Sequence, residues 1–253
     1  MINNRKAVIF GISSHKLKKS ERDFIKKVKP WGIILFSRNI ENLLQLKSLV
    51  KDIKKIFNDD KYPILIDVEG GKVTRLNKII DLSSCTQSYF EKLYKKNKKL
   101  FFNNYKIFID GISNILNDVG ININTVPVLD VKRSSSHQII GERSFSENQN
   151  IVSILGKTCV DLYEKNKICT VMKHIPGHGL AKCDSHLKTP IVNNNKNDLI
   201  NNDFNPFKKC NSILAMTAHV IYKKYDPKYT ATHSKIVIDK VIRNYIKFKG
   251  ILI

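Results

Sequence analysis

Short, almost continuous apolar runs alternate with amphipathic segments along this chain, and this alternation constrains its fold more than any other feature. The runs are rich in β-branched residues, which is typical of strands buried on both faces of a parallel sheet. We predict strands at residues 6–12, 31–36, 63–70, 121–131, 167–174 and 212–220. The clearest amphipathic segments, which predict helices, are residues 41–57, 146–165 and 233–248. Repeated strand–helix units of this kind predict an α/β fold.

The residues at the ends of the predicted strands favour a barrel over an open sheet. Charged or hydroxyl-bearing side chains end nearly every strand, and they are Asp67, Glu69, Asp130, Lys173, His174, Thr217 and His219. An open doubly wound sheet concentrates its site at one switch point, whereas a barrel gathers side chains from many strand ends at one mouth. The sequence also has no G-x-G-x-x-G or P-loop pattern. We therefore predict a TIM (β/α)₈ barrel.

A count of the strand–helix units predicts that this barrel is incomplete. About six βα units precede residues 250–253, "GILI", which begin a seventh strand, and a closed barrel needs eight. We therefore expect residues 1–253 to form a single barrel domain, truncated after about six βα units and incomplete at its C-terminus. Such a barrel has open strand edges.

The net charge of +22 raises the hypothesis of nucleic-acid binding. Only seven of the cations are arginines, although base and phosphate recognition favours the arginine fork. The lysines accompany Asn and Ile throughout, as an AT-biased coding sequence would produce, and residues 91–106 fit a solvated helix face beside an apolar stripe. Nucleic-acid binding is therefore the weakest of our hypotheses, and a steep loss of binding with added salt would be its signature.

The cysteines and the lack of long apolar runs indicate a cytoplasmic protein. The five cysteines are odd in number and form no C-x-x-C pair, so we expect reduced thiols rather than disulfides or a zinc ribbon. No run approaches 18 apolar residues, and the first residues contain no signal-type cleavage region. We therefore expect a cytoplasmic protein without a membrane partner.

The segment Lys173–His186, "KHIPGHGLAKCDSH", is unusually dense in titratable side chains. A metal site, a phosphate-binding loop and an acid/base pair beside a sugar are the alternatives. His174, His178 and His186, with Asp184, are zinc ligands by type. Pro176 and Gly177 rule out the helical i, i+4 geometry that such histidine pairs use, so we expect no metal ion here.

An acid/base pair formed by Asp184 and His186 is the better interpretation of this segment. A carboxylate that accepts the imidazole N–H fixes its tautomer and stabilises its protonated form. An ordinary histidine pKa near 6.5 lets such a ring donate and accept a proton near neutral pH. From these two residues alone, the alternative that both are ordinary loop residues stays open.

Two other segments contain residues that bind sugars in many proteins. Asp67 ends a buried strand and Arg75 follows beyond two glycines, while Arg143 lies in the loop after the fourth strand. Lys173 and His174 end the fifth strand. An aspartate that accepts paired hydroxyls beside an arginine can fix a neutral polar ring, although a purely structural Asp–Arg pair at the strand end is the alternative.

Residues Lys173–His186 resemble the K-H-[FI]-P-G-H-G-x₄-D-x-H signature of bacterial β-N-acetylglucosaminidases, or β-hexosaminidases, of glycoside hydrolase family 3. The resemblance is collinear over almost the whole chain. Its further segments are residues 31–53, 65–76, 127–131, 139–145, 216–222 and 248–253. The family's barrel agrees with the fold predicted from the strand pattern.

The resemblance implies a role for each candidate residue. It implies that His186 is the general acid/base and Asp184 its orienting partner, in place of the carboxylic acid that most glycosidases use. The sugar-binding residues that it implies are Asp67, Arg75, Arg143, Lys173 and His174. The implied reaction is retaining removal of terminal GlcNAc from peptidoglycan fragments during cell-wall recycling, without a cofactor.

The resemblance also implies that one catalytic group is missing from this sequence. A retaining glycosidase needs a carboxylate nucleophile, and in the family this aspartate follows the strand that matches residues 250–253. We therefore expect the nucleophile to lie beyond the chain end, where a companion polypeptide is one source for it. The alternative is a catalytically inactive remnant or sugar-binding fragment of that enzyme.

Overall fold

The computed structural model describes residues 5–133, 140–184 and 187–253. The strands in these ranges, in chain order, are β1 (Lys6–Gly11), β2 (Pro30–Leu35), β3 (Ile64–Ile66), β4 (Val68–Gly70), β5 (Val73–Thr74), β6 (Ile123–Asn124), β7 (Cys169–Ile175), β8 (Ile191–Val192), β9 (Leu214–Thr217), β10 (Ile221–Tyr222) and β11 (Ile251–Leu252). Seven of them form one sheet with the order β1-β2-β3-β6-β7-β9-β11, in which every neighbouring pair is parallel.

Helices follow most strands of this sheet and cover its outer face. The α-helices in chain order are α1 (Lys19–Val28), α2 (Leu43–Phe57), α3 (Gln87–Lys96), α4 (Lys98–Val119), α5 (Gln149–Lys165), α6 (Lys196–Asp198) and α7 (Asn205–Lys208). Short 3₁₀ turns lie at Ser37–Asn39 and Gly141–Arg143, and π-helical turns at Leu199–Asp203 and Val237–Tyr245. The prediction of an α/β fold with a parallel sheet is confirmed.

Two apolar layers show how the sheet is curled. The outer layer, between the sheet and the helices, contains Ile64 and Ile66 of β3. The inner layer contains Leu65, and the neighbouring strands add Ile123, Val171 and Leu214 to it. A packed inner layer built from successive parallel strands is typical of the interior of a TIM barrel. The described strands therefore form a curled, TIM-like part-barrel, while the truncation after about six units stays a prediction.

Several boundaries differ from those predicted, and the strand predicted at residues 121–131 is observed only at Ile123–Asn124. The strand predicted at residues 63–70 divides at Asp67, because β4 leaves the sheet to pair antiparallel with β5. Residues 91–106 do not lie in one helix: Asn97 is extended, and its side chain accepts the Leu100 N–H that begins α4. The helix predicted at residues 233–248 is π-helical between Val237 and Tyr245.

The five cysteines are free thiols. None of the described helices has the length and apolar character that a membrane span requires.

Two helical glycines test how tightly α5 packs on the sheet. A Cβ atom at Gly156 would lie 2.2 Å from Cδ2 of Leu129, which is fully buried, whereas a Cβ atom at Gly111 of α4 would meet nothing within 4 Å. Gly156→Ala should lower the free energy of unfolding by about 1–3 kcal/mol, because the buried leucine must move. Gly111→Ala should raise it by about 0.5–1 kcal/mol by removing backbone entropy from the unfolded chain. Urea unfolding of both variants measures the difference, and equal effects would contradict the packing.

Candidate active site

A cavity of about 1120 Å³ opens at the carboxyl ends of the parallel strands. It brings together every predicted site residue that the structure describes, and these are Asp67, Arg75, Arg143, Lys173, His174 and Asp184. His186, the predicted general acid/base, lies outside the described residues, so its pairing with Asp184 stays a prediction. The wall also includes Phe36, Glu142, His178 and Met216, which the sequence analysis did not assign to the site.

The ammonium group of Lys173, one of the residues that line this cavity, is buried. Its Nζ is 2.6 Å from Oε1 of Glu69 and 3.1 Å from Oδ1 of Asp67, and it bonds Oγ1 of Thr125 at 3.0 Å. The side chain is 3% exposed. An ammonium ion removed from water needs such partners, because its desolvation otherwise costs several kcal/mol.

Asp67 connects this lysine to Arg75 through the β4–β5 hairpin. Nη2 of Arg75 lies 3.2 Å from Oδ2 of Asp67, and the Arg75 N–H donates to the Asp67 carbonyl at 3.0 Å. The hairpin turns at Gly70, where φ is +90° and a Cβ atom would lie 2.1 Å from the Cys85 carbonyl oxygen. Burial opposes ionisation of Asp67, but Lys173, then Thr125 and Arg75, hold its pKa well below the usual range.

Glu69 is the member of this cluster that the sequence analysis placed at a strand end without giving it a role. Its two carboxylate oxygens accept hydrogen bonds from Nε and Nη2 of Arg143 at 2.8 and 2.9 Å, in the bidentate geometry that favours arginine. Burial opposes its ionisation, yet Lys173 and Arg143 lower its pKa. Glu69 lies two residues after Asp67, and both carboxylates contact Lys173. This spacing is the sequence signal that could have assigned Glu69 to the cluster.

Asp130 forms hydrogen bonds with His174 and His178 of the motif. Its Oδ2 is 2.7 Å from Nδ1 of His174, and its Oδ1 accepts the backbone N–H groups of His174 at 3.2 Å and His178 at 2.6 Å. Burial opposes ionisation of Asp130, but His174 lowers its pKa to about 2. Burial lowers the pKa of His178 to about 4, so that ring is neutral at pH 7.

An irregularity in β7 lets two consecutive residues face the cavity. The pairing register between β7 and β9 shifts between Lys173 and Ile175, and Ile175 packs in the outer layer. Regular alternation would send Lys173 and His174 to opposite faces. Both line the cavity instead, which is a common use of a bulge beside a functional site.

The expectation that no metal ion binds at the motif stays a prediction, because His186 lies outside the described ranges. The ring centroids of His174 and His178 are 5.5 Å apart, and no group of three or more His, Cys, Asp or Glu side chains converges there. The cavity instead presents carboxylate acceptors and guanidinium and ammonium donors, with Phe36 as an apolar wall below the Arg75 guanidinium. Donors and acceptors fixed in this way can bind a neutral, polyhydroxylated ring.

The chain matches one family profile over almost its whole length. The profile described as the glycosyl hydrolase family 3 N-terminal domain matches residues 4–253. The chain belongs to glycosyl hydrolase family 3. The resemblance found in the Lys173–His186 motif is thereby confirmed at the level of the family.

Curated relatives of this family 3 chain carry the name β-hexosaminidase. The one from Actinobacillus pleuropneumoniae serotype 3 is 30% identical over 253 residues, which cover 97% of this chain and 70% of that protein. Beta-hexosaminidase A from Pseudoalteromonas piscicida is 28% identical over 250 residues. This chain spans only 41% of the length of the Pseudoalteromonas protein.

Solved structures agree with the family assignment. Native NagZ from Neisseria gonorrhoeae superposes with a TM-score of 0.89 at 28% identity, covering 98% of this chain and 72% of that one. The same protein in complex with N-trifluoroacetyl-D-glucosamine gives 0.89 at 29% identity, with coverage of 98% and 74%.

The buried cluster predicts a large stability cost for loss of Lys173. Lys173→Met should lower the free energy of unfolding by about 3–5 kcal/mol, because Asp67 and Glu69 would remain buried with one cation fewer. Lys157→Met is the control, since Lys157 is 59% exposed and pairs with Asp161 within one helix, where about 0.5 kcal/mol is expected. Urea unfolding at pH 7 measures both free energies. A loss at Lys173 as small as that at Lys157 would show that the fold does not depend on the charge of the Lys173 ammonium group.

Asp203 packs closely against the motif at Gly177. Gly177 has φ of +145°, and a Cβ atom there would lie 3.0 Å from the Asp203 carbonyl oxygen. The Asp203 carboxylate is 2.8 Å from Nη2 of Arg133. Burial raises its pKa to about 6 in spite of this arginine.

This raised pKa predicts a pH-dependent stability difference. A folded chain that holds a proton more tightly than the unfolded chain loses stability as the pH rises from the unfolded pKa, about 4, through the folded pKa, about 6. Asp203→Asn removes this loss. The stability of the variant relative to the wild type should therefore increase by on the order of 2 kcal/mol between pH 4 and pH 7. Urea unfolding across this range measures it, and a constant difference would contradict the raised pKa.

Proposed function

We propose that this chain supplies the sugar-binding and acid/base part of a retaining β-N-acetylglucosaminidase. The observation that carries the proposal is the single cavity lined by Asp67, Arg75, Arg143, Lys173, His174 and Asp184. Family membership and relatives named β-hexosaminidase support the reaction class. The proposed substrate is a terminal GlcNAc residue on a peptidoglycan fragment, in the cytoplasm and during cell-wall recycling.

The ion-paired residues that line the cavity are proposed to bind the sugar's hydroxyl groups. Asp67 stays ionised at neutral pH, because Lys173 and Arg75 lower its pKa, so it offers charged acceptor oxygens at the cavity wall. Arg75, Arg143, Lys173 and His174 are the other residues proposed to bind the ring. Because Lys173 and Arg143 are already fixed by Glu69, binding would require little reordering of these side chains.

His186 is proposed to move the protons, with Asp184 as its orienting partner. In the first step the imidazolium protonates the glycosidic oxygen while a carboxylate attacks the anomeric carbon and the bond to the leaving sugar breaks. In the second step the neutral imidazole takes a proton from water, which attacks the anomeric carbon and releases the carboxylate. Asp184 lines the cavity, where such an orienting carboxylate is needed.

The nucleophile is proposed to come from sequence that follows the strand beginning at Ile251. The resemblance assigns this role to no acidic residue of the chain, and Glu69 and Asp130 are committed to Arg143 and His174. A companion polypeptide is one source of that segment. The domain assignment, residues 1–253 as a single family 3 barrel, belongs to the same proposal.

Sugar binding and hydrolysis test the two halves of this proposal separately. The chain should bind GlcNAc in a calorimetric titration, and it should release nitrophenol from a GlcNAc β-glycoside once the nucleophile-bearing segment is supplied. His186→Ala should lower that rate by about 10²–10⁴-fold with sugar affinity retained, because only proton transfer is lost. His15→Ala, at an exposed histidine, is the control.

Each outcome has a separate meaning. A folded chain that binds no GlcNAc would refute the sugar-site assignment. Binding without hydrolysis, after assembly with the segment has been demonstrated, would favour the inactive sugar-binding fragment. Equal rates for His186→Ala and His15→Ala would refute the acid/base role of His186.

A further inference from the structure

Asp130 is a fully buried carboxylate whose bonds converge on the motif segment. It follows β6 and is 0% exposed. One of its oxygens receives the backbone N–H groups at both ends of the stretch from His174 to His178, and the other meets Nδ1 of the His174 ring. One side chain therefore fixes the backbone of this stretch and the orientation of an imidazole that lines the cavity.

The chemistry of the Asp130–His174 contact defines the protonation of the ring. An ionised carboxylate only accepts hydrogen bonds, so the nitrogen facing it at 2.7 Å must carry the proton. Nδ1 of His174 is therefore the protonated nitrogen in both the neutral and the cationic ring. Nε2 is then the nitrogen left to meet a ligand in the cavity.

The backbone on either side of Asp130 prevents this contact from relaxing. The Leu129 N–H donates to the Lys173 carbonyl at 2.7 Å, immediately before His174. At the other end, a Cβ atom at Gly179 would lie 1.9 Å from the Val131 carbonyl oxygen. The segment Leu129–Val131 thus follows the motif closely from Lys173 to Gly179.

His174 is the side chain that most favours the ionised form of Asp130. The nearby His178 ring is neutral at pH 7, since burial lowers its pKa to about 4. Arg143 donates two hydrogen bonds to Glu69, and it also interacts electrostatically with Asp130. The Asp130 carboxylate is charged at neutral pH, because His174 lowers its pKa to about 2 against the effect of burial.

We propose that Asp130 is a positioning residue, which fixes the Nδ1-protonated form of His174 and aligns its Nε2 with the ligand in the cavity. Asp130 acts through His174 and does not touch the substrate. The ligand-binding part of this inference rests on the proposed function and deepens it. The protonation part does not depend on any substrate.

Asp130→Asn tests the inference with little change of shape. The amide oxygen can still accept the two backbone N–H groups, but the NH₂ group then faces Nδ1 and donates to it. Nitrogen-15 NMR of the histidine rings should show His174 protonated at Nδ1 in the wild type and at Nε2 alone in the variant. Calorimetry should show GlcNAc affinity reduced about tenfold or more, as expected when a charge-assisted contact is lost.

Asp226→Asn is the matched control. Asp226 also accepts two backbone N–H groups, from Lys228 and Tyr229, and its second oxygen meets the Ser234 hydroxyl instead of an imidazole. This variant should leave the His174 signals and GlcNAc affinity unchanged. A purely structural role of Asp130 would make the two variants alike, with altered melting temperatures and an unchanged tautomer, and that result would overturn the inference.

Three further outcomes separate the positioning role of Asp130 from the proposed function. If Asp130→Asn does not fold, the wild-type spectrum is sufficient: protonated Nδ1 on His174 supports the inference and an unprotonated Nδ1 overturns it. If the tautomer switches as expected but the wild type binds no GlcNAc, the positioning role stands and the proposed function fails. If the wild type binds GlcNAc but the tautomer does not switch, the positioning role fails and the proposed function stands.

Discussion

The ammonium group of Lys173, held between the carboxylates of Asp67 and Glu69, is the interaction that organises this site. Each carboxylate also has its own arginine, so the cluster contains two anions and three cations. An isolated ion pair at this depth would gain little, because desolvation offsets its attraction. The shared arrangement gives each charge at least one opposite neighbour, and it fixes the donors of three different chain segments relative to one another.

The parallel sheet explains why these segments meet. The carboxyl ends of β3, β6 and β7 lie side by side. Asp67 and Thr125 directly follow β3 and β6, and Lys173 lies two residues before the end of β7. Below them, Leu65, Ile123 and Val171 form an apolar layer on the same inner face. The charged cluster is therefore the next layer of the barrel interior, in which ion pairs take the place that branched side chains occupy below.

The sequence was sufficient for the α/β fold class and for six of the side chains that line the cavity, but it did not assign Phe36, Glu142 or Met216 to the site. Continuous apolar runs identified the strands of the main sheet, and strand-end polar residues pointed to its carboxyl edge. The break at Asn97 was missed, because helical spacing continues across a residue whose side chain caps the second helix. The cap of α5 illustrates the same limit, since Asn148 accepts the Asn150 and Ile151 N–H groups and several polar residues before the helix are equally suited by type. The roles of Glu69 and Asp130 also escaped prediction, because their partners Arg143 and His174 are far away in the chain.

The register shift at Lys173–Ile175 has a consequence for how this sequence can change over evolution. It allows adjacent residues to serve one cavity while Ile175 returns to the outer layer. Loss of a single residue here would restore regular alternation and turn either the ammonium or the imidazole toward the helices. Substitutions in the surrounding loops can be tested one at a time by selection, whereas an insertion or deletion in this strand turns a cavity side chain away from the site. We therefore expect the length of the β7 segment to be among its least variable properties in functional descendants of this chain.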